Sequence, residues 1–157
     1  MFCRLITFKE AKKIIGEWHS HHKPPIGHIF SLGAYDCDLD NLIGVVIVGR
    51  PVSPGFGNEF GKVLEVTRLC TNGYKNAASF LLGCVKRSCK ELGVEKLISY
   101  TREDENGTCY LAAGWKKVSK VKGKGWVSGN KSDRWLPGLY LPTTEICDRV
   151  RWEIFCR

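Results

Sequence analysis

The 157-residue sequence has no apolar run long enough to cross a bilayer. Its first residues have neither the hydrophobic segment nor the small-residue cleavage site of a signal peptide. It also has no internal repeat and no low-complexity block. These absences argue against a membrane, exported or fibrous protein and predict a cytoplasmic one. With 43% hydrophobic residues, the chain can form one ordinary core, so we expect a single domain over residues 1–157.

The eight cysteines lack the close pairs that a structural zinc site requires. No two of them are nearer than the five-residue separation of Cys84 and Cys89, so no CxxC motif is present. Most lie within apolar segments. We therefore expect reduced thiols, mostly in the core, and no zinc site built from cysteines.

Acidic residues are few relative to basic ones. The sequence has 24 Lys and Arg against 16 Asp and Glu, a net charge of +8, with an isoelectric point near 9.1. A polyanion is therefore a plausible partner, and both nucleic acid and coenzyme A (CoA) qualify. A soluble basic protein that binds neither is the alternative, because net charge alone affects solubility and steering.

Hydrophobic periodicity predicts a mixed sheet covered by helices, of α+β or α/β class. The predicted strands are 5–8, 28–35, 42–48, 62–70, 96–101, 115–121 and 149–155, and the predicted helices are 9–22, 76–92 and 107–113. An Asp/Asn-rich turn joins the second and third strands, which predicts an antiparallel hairpin. Scattered Gly and Pro at about 122–148 predict an irregular excursion rather than a second domain.

The most informative stretch is 65–82, where a strand leads through a Gly/Asn turn into a long helix. Backbone N–H groups at a helix start bind anions, and Gly73 and Asn76 can adopt left-handed conformations. Lys75 would add positive charge. The predicted phosphate-binding residues are Leu69, Cys70, Thr71, Gly73, Lys75, Asn76, Ala77, Ala78 and Ser79. The alternative is an ordinary strand-to-helix connection with a helix cap.

The order of elements over residues 5–121 resembles that of the GNAT family of N-acetyltransferases. In that family a pyrophosphate-binding loop of pattern Q/R-x-x-G-x-G/A joins the fourth strand to the next helix. Gly73, Asn76 and Ala78 stand on its three fixed positions, and only Ala78 matches the pattern. The resemblance implies a mostly antiparallel sheet of six to seven strands and an acyl-CoA donor, with acetyl-CoA as the first candidate.

The resemblance also suggests a general acid. Residues 110–115 read YLAAGW and have the spacing of the family's Y-x-x-x-G-F element, in which the tyrosine protonates the departing thiolate. By resemblance, Tyr110 is the candidate general acid. A helix tyrosine packed against the sheet is the alternative.

Glu65 and Arg68 are charged residues in an otherwise apolar predicted strand. A buried charge needs a partner or a cleft, and strict alternation would place these two side chains on opposite faces. A glutamate on this strand resembles the general base of some family members. Glu65 is therefore the candidate base, and Arg68 a substrate or structural contact; an ion pair or sheet-edge position is the alternative.

All four histidines lie within ten residues, at His19, His21, His22 and His28. No carboxylate or cysteine stands at a standard ligand spacing to complete a metal site. We expect these histidines and Lys23 to form a polar rim that contacts a nucleobase or phosphate. A metal site stays the alternative.

Residues 21–36, 42–52 and 64–77 are similar to a phage-associated branch of the GNAT family that includes the Mom DNA-modification protein. This similarity implies a phage-encoded transferase that modifies an amine of a DNA base in a bacterial host and so blocks restriction. The basic run 116–124, Arg50 and a stacking role for Trp126 would serve DNA binding. The alternatives are an N-acetyltransferase acting on a small amine or protein lysine, and a non-catalytic nucleic-acid-binding module.

Overall fold

The computed structural model describes residues 1–18, 25, 28–37, 41–52, 54–56, 61–123 and 147–157. Strands and helices follow one another in the predicted order, which confirms the α+β class. The elements are β1 Phe2–Leu5, α1 Phe8–Trp18, β2 Phe30–Tyr35, β3 Leu42–Gly49, β4 Val63–Thr71, α2 Ala77–Glu91, β5 Lys96–Arg102, α3 Thr108–Ala112, β6 Lys116–Val121 and β7 Arg149–Phe155, with a short 3₁₀ turn at Pro54–Phe56.

One sheet contains all seven strands, in the spatial order β1-β2-β3-β4-β5-β7-β6. The predicted β2–β3 hairpin is confirmed as antiparallel. The pair β4–β5 is parallel, and it is paired over only residues 63–66 and 96–99. Both strands continue further, to Thr71 and Arg102. The sheet therefore opens between β4 and β5 beyond Val66.

Helices cover the two faces of the sheet differently. Helix α2 packs on one face, in a core that also holds Tyr110 and Trp152. Helix α1 packs on the other face against β2, β3 and β4, where Ala11 and Ile15 meet Val45. On that second face, β5 and β7 carry half-buried charged side chains: Lys96, Arg102, Arg149, Arg151 and Glu153.

Strand β4 contains a β-bulge at Thr67. Val48 on β3 pairs with Val66, but the preceding residue Ile47 pairs with Arg68, so Thr67 is an extra residue in β4. Its hydroxyl donates a hydrogen bond to the carbonyl oxygen of Ile47 at 3.2 Å. A bulge of this kind interrupts the strict alternation of side chains along a strand.

Beyond the bulge, each side chain of β4 lies on the face opposite to the one that strict alternation would give it. Val66 lies in the α2-side core, whereas Cys70, which strict alternation would place on the same face, packs in the α1-side cluster. Arg68 is thereby moved to the face that carries Glu65. The predicted separation of Glu65 and Arg68 onto opposite faces is wrong, because the prediction assumed a strand without an inserted residue.

The first predicted strand, at 5–8, is also wrong. The strand is Phe2–Leu5, and α1 already begins at Phe8. The reason is a capping box: the Thr7 hydroxyl accepts the N–H of Glu10 at 3.2 Å, and the Glu10 carboxylate accepts the N–H of Thr7 at 2.8 Å. The described part of α1 ends at Trp18, and the predicted last turn lies outside the described residues.

All eight cysteines are free, as expected, and half of them lie in the core: Cys70, Cys84, Cys89 and Cys156. In the described ranges, no helix has the length and apolar character needed to span a membrane. Residues 124–146, the main part of the predicted excursion, lie outside the described residues.

Candidate active site

The candidate site lies at the opening between β4 and β5. The last paired residues are Val66 and Ser99. Past this point β4 leads through residues 72–76 into α2. The opening is therefore bordered by the end of a strand and by the N-terminus of a 15-residue helix.

The loop between β4 and α2 has the predicted left-handed residues. Gly73 has φ 91° and Asn76 has φ 64°, and Asn76 is the N-cap of α2. A Cβ at Gly73 would meet nothing within 4 Å. Residues 72–76 are exposed. The loop is therefore open to solvent and shaped by two left-handed backbone positions.

The start of α2 fits an anion. No side chain caps it, and in the described part of the chain the N–H groups of Ala78 and Ser79 have no acceptor. Such unpaired amides and the positive end of the helix dipole attract phosphate. Lys75 is exposed beside them. The structure thus brings together the predicted residues Thr71, Gly73, Lys75, Asn76, Ala78 and Ser79.

Three other predicted phosphate-binding residues face the interior. Leu69 packs against the α2-side core, and Ala77 is fully buried in it. The N–H of Ala77 donates to the carbonyl oxygen of Tyr74 at 3.2 Å. Cys70 is buried in the α1-side cluster, where burial raises the pKa of its thiol to about 11. These side chains position the loop and present no polar group to it.

Replacing Asn76 tests the left-handed loop. We expect Asn76→Gly to fold as stably as the wild type, because glycine adopts this conformation without steric strain. Asn76→Val should lower the free energy of unfolding by roughly 1–2 kcal/mol, since its Cβ clashes with the following carbonyl oxygen in the left-handed region. Urea denaturation of both variants measures the difference; equal stability of the two would contradict the conformation.

Sequence analysis did not identify Tyr74 as part of the loop structure. Its hydroxyl donates a hydrogen bond to Oδ1 of Asp36, at the end of β2, at 3.0 Å. The Asn72 side chain accepts the N–H of Tyr74 at 3.1 Å. Hydrogen bonds from the Cys37 N–H and from Tyr74 lower the pKa of Asp36. The contact joins residues 38 positions apart in sequence, and no local pattern predicts it.

Glu65 is a buried carboxylate beside the opening, with only 6% of its surface exposed. Its Oε2 accepts the N–H of Val52 at 2.8 Å. Burial raises the pKa of Glu65, and the Val52 hydrogen bond and the charges of Arg68 and Arg149 partly oppose this. A carboxyl with a raised pKa can take up a proton nearer to neutral pH.

Arg68 lies on the same face as Glu65. Its guanidinium donates to the carbonyl oxygen of Thr67 at 2.6 Å. Burial and the neighbouring Arg149 lower the pKa of Arg68, while Glu65 raises it. Glu65, Arg68 and Arg149 are therefore one electrostatic group, with two guanidinium charges and one carboxylate.

Tyr110 lies on the other face of the sheet, beneath the same opening. Its ring stacks on Trp152 at 5.3 Å between centroids and meets Trp115 edge-on at 5.4 Å. Its hydroxyl is 2.8 Å from Oγ of Ser99, and Ser99 donates to the carbonyl oxygen of Val66 at 3.0 Å. Since Ser99 has one hydroxyl proton, Tyr110 is the donor in their shared bond.

Burial raises the pKa of Tyr110 well above its usual value, so the phenol stays protonated. The hydrogen-bonded chain from Tyr110 through Ser99 ends at Val66, the last paired residue of β4. Glu65 is the residue before Val66. The structure therefore places the two candidate catalytic residues at the same level of the sheet, on opposite faces of the opening.

Two of the remaining predicted site residues lie within the described ranges. His28 is exposed and stacks on Phe8 at 4.1 Å, and Arg50 is exposed after the end of β3. Five predicted substrate contacts lie outside the described residues: His19, His21, His22, Lys23 and Trp126. Within the ranges given above, no group of three or more His, Cys, Asp or Glu is placed to hold a metal ion.

The chain is similar to known proteins in sequence and in structure. A sequence model of the Mom protein family matches residues 1–132. No curated protein matches the sequence significantly.

Several solved structures resemble this one over nearly its whole length. Arabidopsis thaliana NAA60 in complex with acetyl-CoA has a TM-score of 0.66 and 14% identity, covering 98% of this chain and 97% of that one. An N-acetyltransferase from Staphylococcus aureus Mu50 has a TM-score of 0.67 and 11% identity, covering 99% and 98%. A Bacillus subtilis acetyltransferase in complex with CoA has a TM-score of 0.59 and 14% identity, covering 98% and 97%. At such identities the likeness shows a shared fold.

Proposed function

Because the chain belongs to the Mom protein family and has the fold of GNAT N-acetyltransferases, we propose that it is an acyltransferase that moves an acyl group from acyl-CoA to an amine. One observation carries the proposal: β4 and β5 separate directly beside a helix N-terminus whose first N–H groups, at Ala78 and Ser79, have no acceptor among the described residues. That arrangement provides a phosphate site next to an opening in the sheet. The fold neighbours include one structure with acetyl-CoA and one with CoA.

The residues present fit a CoA pyrophosphate. In the proposal, the amides of Ala78 and Ser79 hold the phosphates, and Lys75 adds a positive charge. Asn76 replaces a family glycine but has the required left-handed conformation. The bound acyl-CoA supplies an activated thioester. Holding donor and acceptor in line lowers the activation free energy by about 7–11 kcal/mol in well-aligned cases. In the proposal, this loop therefore contributes more to the rate than any single side chain.

Glu65 and Tyr110 move the protons in this proposal. The attacking amine loses one proton to the Glu65 carboxylate as the C–N bond forms. The C–S bond breaks, and the departing sulfur takes a proton from the Tyr110 hydroxyl. To donate it, Tyr110 has to give up its hydrogen bond to Ser99. Each proton transfer contributes about 10²- to 10⁴-fold to the rate.

The acceptor in this proposal is an amine on a DNA base. Membership of the Mom protein family and the net charge of +8 support it. The biological consequence would be DNA that restriction enzymes no longer cut, made by a phage-encoded enzyme in the bacterial cytoplasm. We propose that residues 1–157 form one domain.

One panel tests the reaction. The protein is incubated with DNA, with acetyl-CoA, with both together, and with acetyl-CoA plus a small amine, and nucleoside masses and free thiol are measured. We expect thiol release and a heavier nucleoside only when DNA and acetyl-CoA are both present. Thiol release with an added amine but without DNA would identify a small-molecule or protein N-acetyltransferase. DNA binding without either product would identify a non-catalytic binding module and contradict the proposal.

The phosphate site has its own test. Ala78→Pro removes one N–H at the start of α2, where proline is tolerated. Losing one charge-assisted hydrogen bond, about 1.5–3 kcal/mol, should weaken CoA binding by about 10- to 100-fold in calorimetric titration. The control Ala78→Ser keeps the N–H and should bind normally. CoA affinity unchanged in Ala78→Pro, with an unchanged melting temperature, would exclude this amide from the site.

A further inference from the structure

The indole of Trp152 packs against the candidate general acid, Tyr110. It is 3% exposed, and it stacks on the Tyr110 ring at 5.3 Å between centroids and 16° between planes. Its Nε1–H donates a hydrogen bond to Oγ1 of Thr101 at 3.0 Å. The indole is therefore held by the β7 backbone that carries it, by a hydroxyl on β5 and by a ring on α3.

Strand β5 anchors both stacked rings through two buried hydroxyls. Ser99 bonds to the Tyr110 hydroxyl, and it pairs directly with Trp152 across the β5–β7 ladder. Thr101, two residues further along the same strand, accepts the indole N–H. Side chains two positions apart in a strand point to the same face, about 7 Å apart. One strand thus fixes the two rings relative to each other.

Gly107 lets the helix that carries Tyr110 approach the indole. It is the N-cap of α3, with φ 62°, and its carbonyl oxygen accepts the N–H of Tyr110 at 3.0 Å. A Cβ at this position would overlap Cζ2 of Trp152 and lie 2.8 Å from its Cη2. The indole has no freedom to move aside, since it is buried, stacked and hydrogen-bonded. The first turn of α3 therefore contacts Trp152 through its backbone as well as through the Tyr110 ring.

The position of the Tyr110 ring does not depend only on the hydrogen bond that proton donation breaks. In the proposed reaction Tyr110 gives up its bond to Ser99, and a hydroxyl proton can rotate about the C–O bond while the ring stays in place. The ring keeps its stacking on Trp152 and its edge contact with Trp115. A catalytic group has to be held within about 0.5 Å of its productive geometry. The aromatic contacts meet that requirement throughout the proton transfer.

We propose that Trp152 is a positioning residue for the reaction: it holds the Tyr110 hydroxyl at the opening between β4 and β5, and Gly107 makes this contact possible. The inference rests on the proposed function, in which Tyr110 protonates the departing sulfur. Trp152 contacts neither donor nor acceptor in this proposal. It acts through Tyr110, so its loss affects the rate only while the Tyr110 hydroxyl is present.

Substitutions of Trp152 test the positioning. Trp152→Leu removes the stacking, and displacement of a catalytic group by about 1 Å should lower kcat by about 10²-fold. Trp152→Phe keeps an aromatic ring against Tyr110 and should recover part of that rate. CoA affinity in calorimetric titration should not change in either variant, since the proposed phosphate site is at the start of α2. A kcat equal to that of the wild type in Trp152→Leu would overturn the proposal.

A double-mutant cycle distinguishes positioning from general damage to the fold. Tyr110→Phe has no hydroxyl to misplace, so adding Trp152→Leu to it should lower kcat no further. Losses that multiply would show that Trp152 acts independently of Tyr110 and would overturn the proposal. Melting temperatures verify folding. Where Trp152→Leu does not fold, Thr101→Val takes its place in the cycle, because it removes only the acceptor of the indole N–H.

Gly107→Ala tests the contact between α3 and the indole without changing either ring. The added methyl group displaces Trp152, so kcat should fall by about 10- to 100-fold. Gly93→Ala is the matched control: Gly93 also has a left-handed φ, 75°, but a Cβ there would meet nothing within 4 Å. Both variants carry the same kind of backbone strain. Equal losses of kcat would therefore show an effect of strain alone and overturn the role of Gly107.

The flip rate of the Tyr110 ring measures the positioning without any reaction. NMR of protein with labelled tyrosine should show faster flipping in Trp152→Leu and Gly107→Ala, but not in Gly93→Ala. If flipping is faster and Tyr110→Phe keeps its full kcat, the general-acid role fails although Trp152 does hold the ring. If Tyr110→Phe loses kcat while Trp152→Leu changes neither flip rate nor kcat, the positioning fails and the general acid stands.

Discussion

Glu65→Gln is expected to lower kcat by about 10²- to 10⁴-fold, with the affinity for CoA unchanged. Glutamine has nearly the same shape, and its amide oxygen can still accept the N–H of Val52, which now donates to Glu65 at 2.8 Å. What the substitution removes is the ability to take a proton from the acceptor amine. Single-turnover kinetics with saturating acyl-CoA measure the loss.

The pH dependence gives a second readout. Burial raises the pKa of Glu65 above the usual 4.5, and a base acts in its deprotonated form. The kcat/KM of the wild type should therefore rise with pH through that raised pKa and level off above it. Because the pKa is raised, the rise lies at higher pH than for an exposed glutamate. Glu65→Gln should lack this acid-side rise.

Glu153→Gln is the matched control. Glu153 is a second carboxylate on this face, stands at the same level two strands away, and pairs with Lys96 and Arg151. We expect its loss to change kcat by less than about 10-fold, since it makes none of the contacts of Glu65 and lies away from the opening. Equal losses in the two variants, or an acid-side rise that persists in Glu65→Gln, would contradict the role of Glu65 as the base.

Tyr110→Phe is expected to lower kcat by about 10²- to 10⁴-fold and to leave donor affinity nearly unchanged. Phenylalanine keeps the stacking on Trp152 and the edge contact with Trp115. Ser99 keeps its own hydrogen bond to Val66. Only the hydroxyl proton is lost, so the free energy of unfolding should fall by no more than about 1 kcal/mol.

Ser99→Ala distinguishes a proton-donating role of Tyr110 from a packing role. It leaves the Tyr110 hydroxyl buried without its partner, which should reduce stability by about 1–3 kcal/mol but retain the proton that Tyr110 would donate. Its kcat should therefore exceed that of Tyr110→Phe. If Tyr110→Phe weakens donor binding and turnover equally, or if Ser99→Ala is the slower variant, Tyr110 has a packing role only.

The parts of the fold that depend on local patterns were predictable. Period-two and helical spacing predicted the strand and helix order, with boundaries of α2 and β5 within one residue. The left-handed Gly73 and Asn76 were predictable because few residues adopt that conformation. Thr7 and Glu10 have the spacing of a capping box, which would have placed the predicted start of α1 at Phe8.

Features that depend on pairing between distant segments were not predictable. The opening exists because β4 and β5 separate after Val66. A single sequence does not show at which residue two paired strands separate. The Tyr74–Asp36 bond and the Ser99–Tyr110 bond likewise join separate elements. The roles predicted for Glu65 and Tyr110 came from a family resemblance and remain predictions.

Thr67 shows how much one inserted residue determines in this sheet. If Thr67 paired in ordinary register, without the bulge, side chains would alternate without interruption along β4. Arg68 would then point into the apolar layer beneath α2, and Leu69 would turn toward the polar side. A guanidinium in that layer would have no carboxylate beside it. The pairing register of a single strand thus determines on which face of the sheet its charged side chains lie.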